Sequence, residues 1–148
     1  MKKDPRHRAR EAALQILYQW EIGRGDVDQA GDTFFEFQWP DKQAPPEAVR
    51  GFATTLARDT VARINGIDEL IAGTAERWRP ERMAVLDRLI LRMAICEFLR
   101  DPETPPAVVI NEALELARTF STEDAVRFIN GMLDAVKKKI ERTSGGAS

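Results

Sequence analysis

The 148-residue sequence contains one histidine, His7, and one cysteine, Cys96. With a single histidine, no Ser-His-Asp or Cys-His arrangement is expected beyond the N-terminal segment, and no Glu-x-x-His pairs exist for a carboxylate-bridged metal site. Zinc motifs, glycine-rich phosphate loops and dinucleotide fingerprints are also missing. The lone cysteine forms no intrachain disulfide and is expected to be a small buried residue. We therefore expect no catalytic residue, no bound metal and no cofactor.

Long apolar runs are absent as well. Charged residues make up 31% of the chain and interrupt each hydrophobic stretch before the ~20 residues that a bilayer span requires. The N-terminus is basic but lacks the apolar stretch of a signal peptide. Together with a 43% share of hydrophobic residues, these features predict a globular protein of the cytoplasm.

The charges that are present are unevenly distributed. Met1–Glu11 carry five basic side chains against two acidic ones, whereas the other 137 residues carry 17 basic and 22 acidic side chains. The formal net charge of −2 therefore combines a basic arm of +3 with an acidic body of −5. This division favours two partners, a polyanion for the arm and a basic protein for the body. A solvated tail without a ligand is an equally weighted explanation of a short basic terminus.

Hydrophobic spacing predicts helices along most of the chain. The first runs from Pro5 to about Ile22, where Gly23 and Gly25 follow. A nearly all-round apolar helix from Met83 to about Arg100 should lie at the centre of the fold, since such a segment must be surrounded. No segment alternates with the period of a strand bounded by hairpin turns. The sequence therefore predicts an all-α fold, a compact bundle of about seven helices.

The polar face of the first helix carries residues suited to binding RNA. At about 100° per residue, Arg6 and Arg10 flank the apolar stripe, whereas His7, Arg8 and Tyr18 lie largely opposite it. An outward tyrosine beside arginines suits an unpaired base, because the ring stacks on the base while guanidinium groups hold phosphates. The alternative, given equal weight, is that Tyr18 packs against another helix with its hydroxyl at the edge.

Three segments resemble the NusB transcription antitermination family: RHRAREAALQILYQW (6–20), LDRLILRMAICEF (86–98) and VVINEALELARTFSTEDAVRFINGMLD (108–134). The last is the most specific, because INEALELA followed by RFINGMLD is a long match that chance spacing rarely produces. The resemblance implies an all-α fold of two three-helix sub-bundles. We expect one NusB-like helical RNA-binding domain over 1–143 and a disordered tail over 144–148. The loop from Trp39 to Pro46 is a candidate divide between two helical halves.

The resemblance also implies a function and its partners. Family members bind boxA-type single-stranded RNA together with NusE, a small-subunit ribosomal protein, and act in the RNA polymerase antitermination complex that promotes ribosomal RNA transcription. No catalysis is implied. Carried onto this sequence, the RNA-contacting positions are Arg6, His7, Arg8, Arg10 and Tyr18, with Arg88 and Arg92 on the central helix as weaker candidates. Asp124, near the start of the last helix, is the candidate contact for the basic NusE.

The sequence departs from the family pattern at three positions. His7 interrupts an arginine cluster, Cys96 replaces a frequent tyrosine, and Ser121 replaces a frequent glycine. Ser121 is expected to cap the last helix. Gly131, inside that helix, is expected to allow the close approach of another helix, because a glycine there otherwise costs about 1 kcal/mol relative to alanine.

Two alternatives to antitermination stay open at this point. One is a helical protein-interaction module whose basic arm binds no RNA. The other is a NusB-like domain related to ribosomal RNA cytosine methyltransferases but without the catalytic part. Some family members form homodimers, so a monomer and a homodimer both remain open.

Overall fold

A computed structural model describes residues 4–74 and 80–146. This part of the chain contains seven α-helices, one short 3-10 helix (Pro80–Arg82) and no strand. The α-helices are α1 (Pro5–Gly23), α2 (Val27–Phe37), α3 (Glu47–Ala62), α4 (Ile64–Thr74), α5 (Val85–Arg100), α6 (Pro106–Phe120) and α7 (Glu123–Gly146). The predicted all-α class is confirmed. The helical spacing of Ile67, Leu70 and Ile71 predicts that their helix extends to Trp78, but Trp78 lies outside the described residues.

The first compact unit covers residues 1–62 and contains α1, α2 and α3, each of which packs against the other two. α1 supplies six of the twelve buried hydrophobic side chains described in this unit, including Ala9, Ala13, Ile16 and Leu17, which helical spacing places on its apolar stripe. Ala12 and Leu14 of the same helix are buried as well, at 2% and 0% exposure. α1 is therefore enclosed on more sides than its apolar stripe predicted, and its exposed surface is narrow.

The second compact unit covers residues 63–148 and contains α4 to α7. α5 packs against α4, α6 and α7, and the nine consecutive residues from Leu89 to Glu97 are buried. This confirms the prediction that the all-round apolar segment is a central helix. Cys96 lies within it with 0% exposure, as expected of a small buried residue.

The boundary between the units falls between Ala62 and Arg63, where α3 gives way to α4. The suggestion that the Trp39–Pro46 loop divides the chain is wrong, because α3 packs on α1 and α2 and belongs with them. The first unit has the predicted three helices, and the second adds α4 to α5, α6 and α7. α7 extends through Gly146 into the predicted tail, while 147 and 148 lie outside the described residues.

The ends of α1 follow its sequence closely. Pro5 occupies the first turn, and the Asp4 carboxylate accepts a hydrogen bond from the Arg6 backbone N–H at 2.8 Å. At the other end Gly23 is the last helical residue, and Arg24 adopts a left-handed conformation with φ 55°. Its N–H donates to the Trp20 carbonyl at 2.7 Å, which closes the helix.

The start and middle of α7 differ from expectation. Thr122, rather than Ser121, caps the helix, since its hydroxyl oxygen accepts the Ala125 N–H at 3.1 Å. The Ser121 hydroxyl instead donates to Asp87 of α5 at 2.6 Å, which ties the α6–α7 link to α5. The expectation of a close helix approach at Gly131 is also wrong, because a Cβ there would meet no atom within 4 Å.

Candidate nucleic-acid interface

The exposed side of α1 carries Arg8 and Tyr18 in one stripe. Tyr18 is 43% exposed and Ile22, one turn further on, is 64% exposed. Arg8 and Tyr18 are ten positions apart, which places them roughly 15 Å apart along the axis at 1.5 Å per residue. The solvent exposure of Tyr18 agrees with the outward orientation predicted from the helical pattern.

Arg8 is held by two residues of the loop between α2 and α3. Its Nη2 donates to Asp41 Oδ2 at 2.6 Å, and its Cζ lies 4.6 Å from the ring centroid of Trp39. The indole N–H of Trp39 donates to the Gln43 carbonyl at 3.1 Å, which fixes the ring. A guanidinium has five N–H donors, and the Arg8 side chain remains 29% exposed, so further donors are available to a second anion.

Arg6 and Arg10 lie over another aromatic ring of the same unit. Their Cζ atoms are 5.8 and 5.3 Å from the ring centroid of Phe52 on α3. Arg6 is exposed, whereas Arg10 is only 3% exposed. The geometry therefore favours a packing role for Arg10 between α1 and α3, while Arg6 keeps its charge at the surface.

His7 lies beside Glu11, one helical turn further along α1. The distance from Nε2 of the imidazole to Oε1 of the carboxylate is 3.9 Å, and the two side chains are 14% and 15% exposed. The contact is an ion pair only when His7 is protonated. The His7 side chain is thus mostly buried, and an RNA contact by it stays a prediction.

Arg88 and Arg92 are engaged within the second unit. Arg92, which is 7% exposed, donates through Nε and Nη2 to the two carboxylate oxygens of Asp68 on α4, at 2.9 and 2.7 Å. Arg88 donates through Nη1 to the Pro80 carbonyl at 3.0 Å. These contacts join α5 to α4 and to the short 3-10 helix, so both arginines have a structural role. An RNA contact by either one stays a prediction.

Asp124 lies in the first turn of α7, where the positive end of the helix dipole stabilises a carboxylate. Its side chain is 89% exposed and forms an ion pair with Arg127, one turn further on. An ion pair so open to solvent contributes little to stability. The carboxylate is therefore open to solvent, and its contact with a basic partner stays a prediction.

Sequence reasoning missed a group of three exposed arginine–aspartate pairs in the first unit. In each pair the aspartate comes from α2 or from the loop that follows it: Asp28 with Arg58 at 2.9 Å, Asp32 with Arg50 at 3.1 Å, and Asp41 with Arg8 at 2.6 Å. A lone exposed aspartate has no distinguishing pattern in a sequence. The aromatic segment around Phe35 and Trp39 could have indicated two of these pairs, because Arg50 lies over the ring of Phe35 and Arg8 lies over the ring of Trp39.

The described ranges 4–74 and 80–146 hold no group of three or more His, Cys, Asp or Glu side chains that could ligate a metal ion. Within the same ranges, no helix has the length and apolar character needed to cross a membrane.

The chain is similar in sequence and fold to known proteins of one family. A family model described as "NusB family" matches residues 7–138. The transcription antitermination protein NusB of Koribacter versatilis is 45% identical over 141 residues, which are 95% of this chain and 94% of that protein. The solved structure of T. maritima NusB is 32% identical with a TM-score of 0.81, over 93% of each chain. A structure of the antitermination factors NusB and NusE in complex with dsRNA matches with a TM-score of 0.77, over 91% of this chain and 97% of that one, and its 24% identity supports the fold alone.

Proposed function

The chain belongs to the NusB family, and we propose that it is a transcription antitermination factor that binds boxA-type single-stranded RNA together with NusE and promotes ribosomal RNA transcription. One observation carries the assignment of RNA to this surface: Arg8 and Tyr18 share the exposed stripe of α1, a helix that the family model covers from residue 7. The stripe presents a cation and an aromatic face on a rigid element.

The chemistry of the stripe suits an unpaired RNA strand. The remaining guanidinium donors of Arg8 can hold a phosphate, and a base can stack on the exposed ring of Tyr18. Stacking of this kind contributes about 1–3 kcal/mol per base. Arg6 adds a surface charge beside the stripe. His7, at the margin of the stripe, is the remaining residue proposed to contact RNA.

The same proposal gives a supporting role to the arginines that are engaged inside each unit. Arg10 holds α1 against Phe52 of α3, and Arg92 holds α5 against Asp68 of α4. Arg88, bound to the Pro80 carbonyl, belongs to the same group. In this assignment Arg10 preserves the helix that carries the interface, and Arg88 and Arg92 preserve the packing of the second unit, with an RNA contact by either of these two still a prediction.

NusE would meet the acidic body of the protein, with Asp124 as one contact. The body carries a net charge of −5, which attracts a basic ribosomal protein. We assign the protein a regulatory rather than catalytic role in the cytoplasm, where transcription takes place in bacteria. The names of its relatives, which refer to transcription antitermination, support this assignment.

The proposal is tested by titrating a boxA-type RNA oligonucleotide and a scrambled oligonucleotide into the protein, with and without NusE. Tyr18→Ala should weaken boxA binding about 5- to 150-fold, because it removes a stacking face, whereas Tyr18→Phe should keep most of the affinity. Phe37→Ala is the matched control, since Phe37 is an aromatic residue, 74% exposed, outside α1. Equal affinity for both oligonucleotides, with and without NusE, would contradict sequence-specific recognition and favour a protein-interaction module.

A further inference from the structure

Arg8, the cation at one end of the proposed interface, is already bound by a carboxylate of the protein itself. Asp41 accepts its hydrogen bond at 2.6 Å, and Trp39 lies under the guanidinium with 4.6 Å between Cζ and the ring centroid. We propose that the Asp41 carboxylate occupies the position at Arg8 that an RNA phosphate takes in the complex. When RNA binds, the phosphate replaces the carboxylate while Trp39 keeps the guanidinium in place. This inference rests on the proposed function.

The Arg8–Asp41 contact is well suited to exchange. The two side chains are 29% and 50% exposed, so a phosphate can approach from solvent and the displaced carboxylate can be hydrated. Exposed ion pairs contribute little to stability, and replacement of one oxyanion by another preserves the charge-assisted hydrogen bond at Arg8. The cost of exchange therefore lies mainly in the repulsion between the phosphate and the Asp41 charge that stays nearby.

Trp39, in contrast, is fixed. Its indole N–H donates to the Gln43 carbonyl at 3.1 Å, and its backbone N–H donates to the Phe34 carbonyl at 3.0 Å. The ring of Phe35 lies 5.8 Å away, centroid to centroid. Because Trp39 and Asp41 are two positions apart, one short loop supplies both a permanent aromatic support and an exchangeable anion for Arg8.

The first unit contains a second arrangement of the same kind, which serves as an internal control. Arg50 lies over the Phe35 ring at 4.9 Å and binds Asp32 at 3.1 Å, so it too has an aromatic support and an exposed carboxylate. Arg50 belongs to α3, however, and is not part of the α1 stripe. Neutralising Asp32 changes the net charge of the protein by the same amount as neutralising Asp41, without freeing Arg8.

The first experiment compares Asp41→Asn with Asp32→Asn in titrations of the boxA-type RNA oligonucleotide in the presence of NusE. Asp41→Asn should tighten binding about two- to fivefold, the range expected for release of one exposed ion pair. It should also steepen the plot of log affinity against log salt slightly, because no displaced carboxylate is left to attract a cation. Asp32→Asn should change neither quantity. Equal gains in both variants would overturn the proposal in favour of a general charge effect.

A double-mutant cycle then tests whether the gain acts through Arg8. In an Arg8→Ala background, Asp41→Asn should give no tighter binding than Arg8→Ala alone. Trp39→Leu should weaken binding, whereas Trp39→Phe, which keeps a ring, should restore most of it, with thermal unfolding measured for each variant. A gain from Asp41→Asn that persists without Arg8 would overturn the exchange.

Failure of the exchange can be told apart from failure of the proposed function. If Arg8→Ala weakens RNA binding but Asp41→Asn does not tighten it, Arg8 touches RNA and only the exchange with Asp41 is wrong. If Arg8→Ala leaves RNA affinity unchanged, Arg8 is no part of the interface, and both the assigned surface and the exchange are wrong.

Discussion

The three arginines of the N-terminal arm have the same chemistry in the sequence but three different environments in the fold. Arg8 lies between Trp39 and Asp41, Arg6 is exposed over Phe52, and Arg10 is buried against the same ring. Helical geometry predicted that Arg6 and Arg10 flank the apolar stripe. It could not predict that Arg10 is buried, because the covering ring comes from α3, whose position depends on tertiary packing.

The burial of Arg10 gives a prediction about stability. Arg10→Ala should lower the free energy of unfolding by about 1–3 kcal/mol, since it removes buried stem packing and a desolvated cation–π contact. Arg8→Ala should lower it by no more than about 1 kcal/mol, because Arg8 is in an exposed pair. Urea denaturation measures both values, and Arg10→Met, which keeps the apolar stem, should recover part of the loss. An unchanged midpoint for Arg10→Ala would show that the contact with Phe52 is not stabilising.

At the scale of elements, long periodic segments were predicted well and local details at their ends were not. α1 and α5 have dense apolar patterns, so the existence of both helices and the central place of α5 followed from the sequence. The capping residue of α7 did not, because Ser121 and Thr122 both have the required hydroxyl. Which one caps depends on where Asp87 lies, since that carboxylate accepts the Ser121 hydroxyl. Such a choice is made by packing between elements.

Gly131 provides a prediction for α7. A Cβ at this exposed helical position would meet no atom within 4 Å, so Gly131→Ala should stabilise the protein by about 0.5–1 kcal/mol through reduced chain entropy in the unfolded state. Gly51→Ala in α3, also exposed and open, should behave in the same way. In contrast, a Cβ at Gly73 would lie 2.5 Å from Lys139 Nζ, so Gly73→Ala should gain less. Thermal unfolding measures the order, and a loss of stability in Gly131→Ala would contradict the open helix face.

At the scale of the whole molecule, the family and the fold class were predictable and the boundary between compact units was not. Three segments carried the family resemblance, and the helical spacing without strand periodicity indicated the all-α fold class. The boundary at Ala62–Arg63 depends on the packing of α3 against α1 and α2, and no composition change marks it. The surface of α1 was likewise predicted in part: the exposure of Tyr18 followed from the helix pattern, whereas the contacts of Arg8 with Trp39 and Asp41 did not.

The uneven charge of the molecule leads to a prediction about salt. Arg6→Ala should flatten the plot of log RNA affinity against log salt by about 0.7, the value for one phosphate contact on a single strand. Asp124→Asn should leave that slope unchanged in the absence of NusE, but should weaken NusE binding and make it less sensitive to salt. Isothermal titration at several salt concentrations measures both. A shift of the RNA slope in Asp124→Asn would show that arm and body do not act on separate partners.

The complete burial of Cys96 protects the native thiol from thiol-directed dyes while the protein is folded. It is the only thiol in the chain and has 0% exposure, so a thiol-directed dye reaches it only when α5 opens. The rate of modification of the unaltered protein therefore reports how often the second unit opens, without any substitution. Conversely, a cysteine introduced at an exposed site such as Phe37 would take up the dye first, which yields a singly labelled protein for fluorescence measurements of RNA binding.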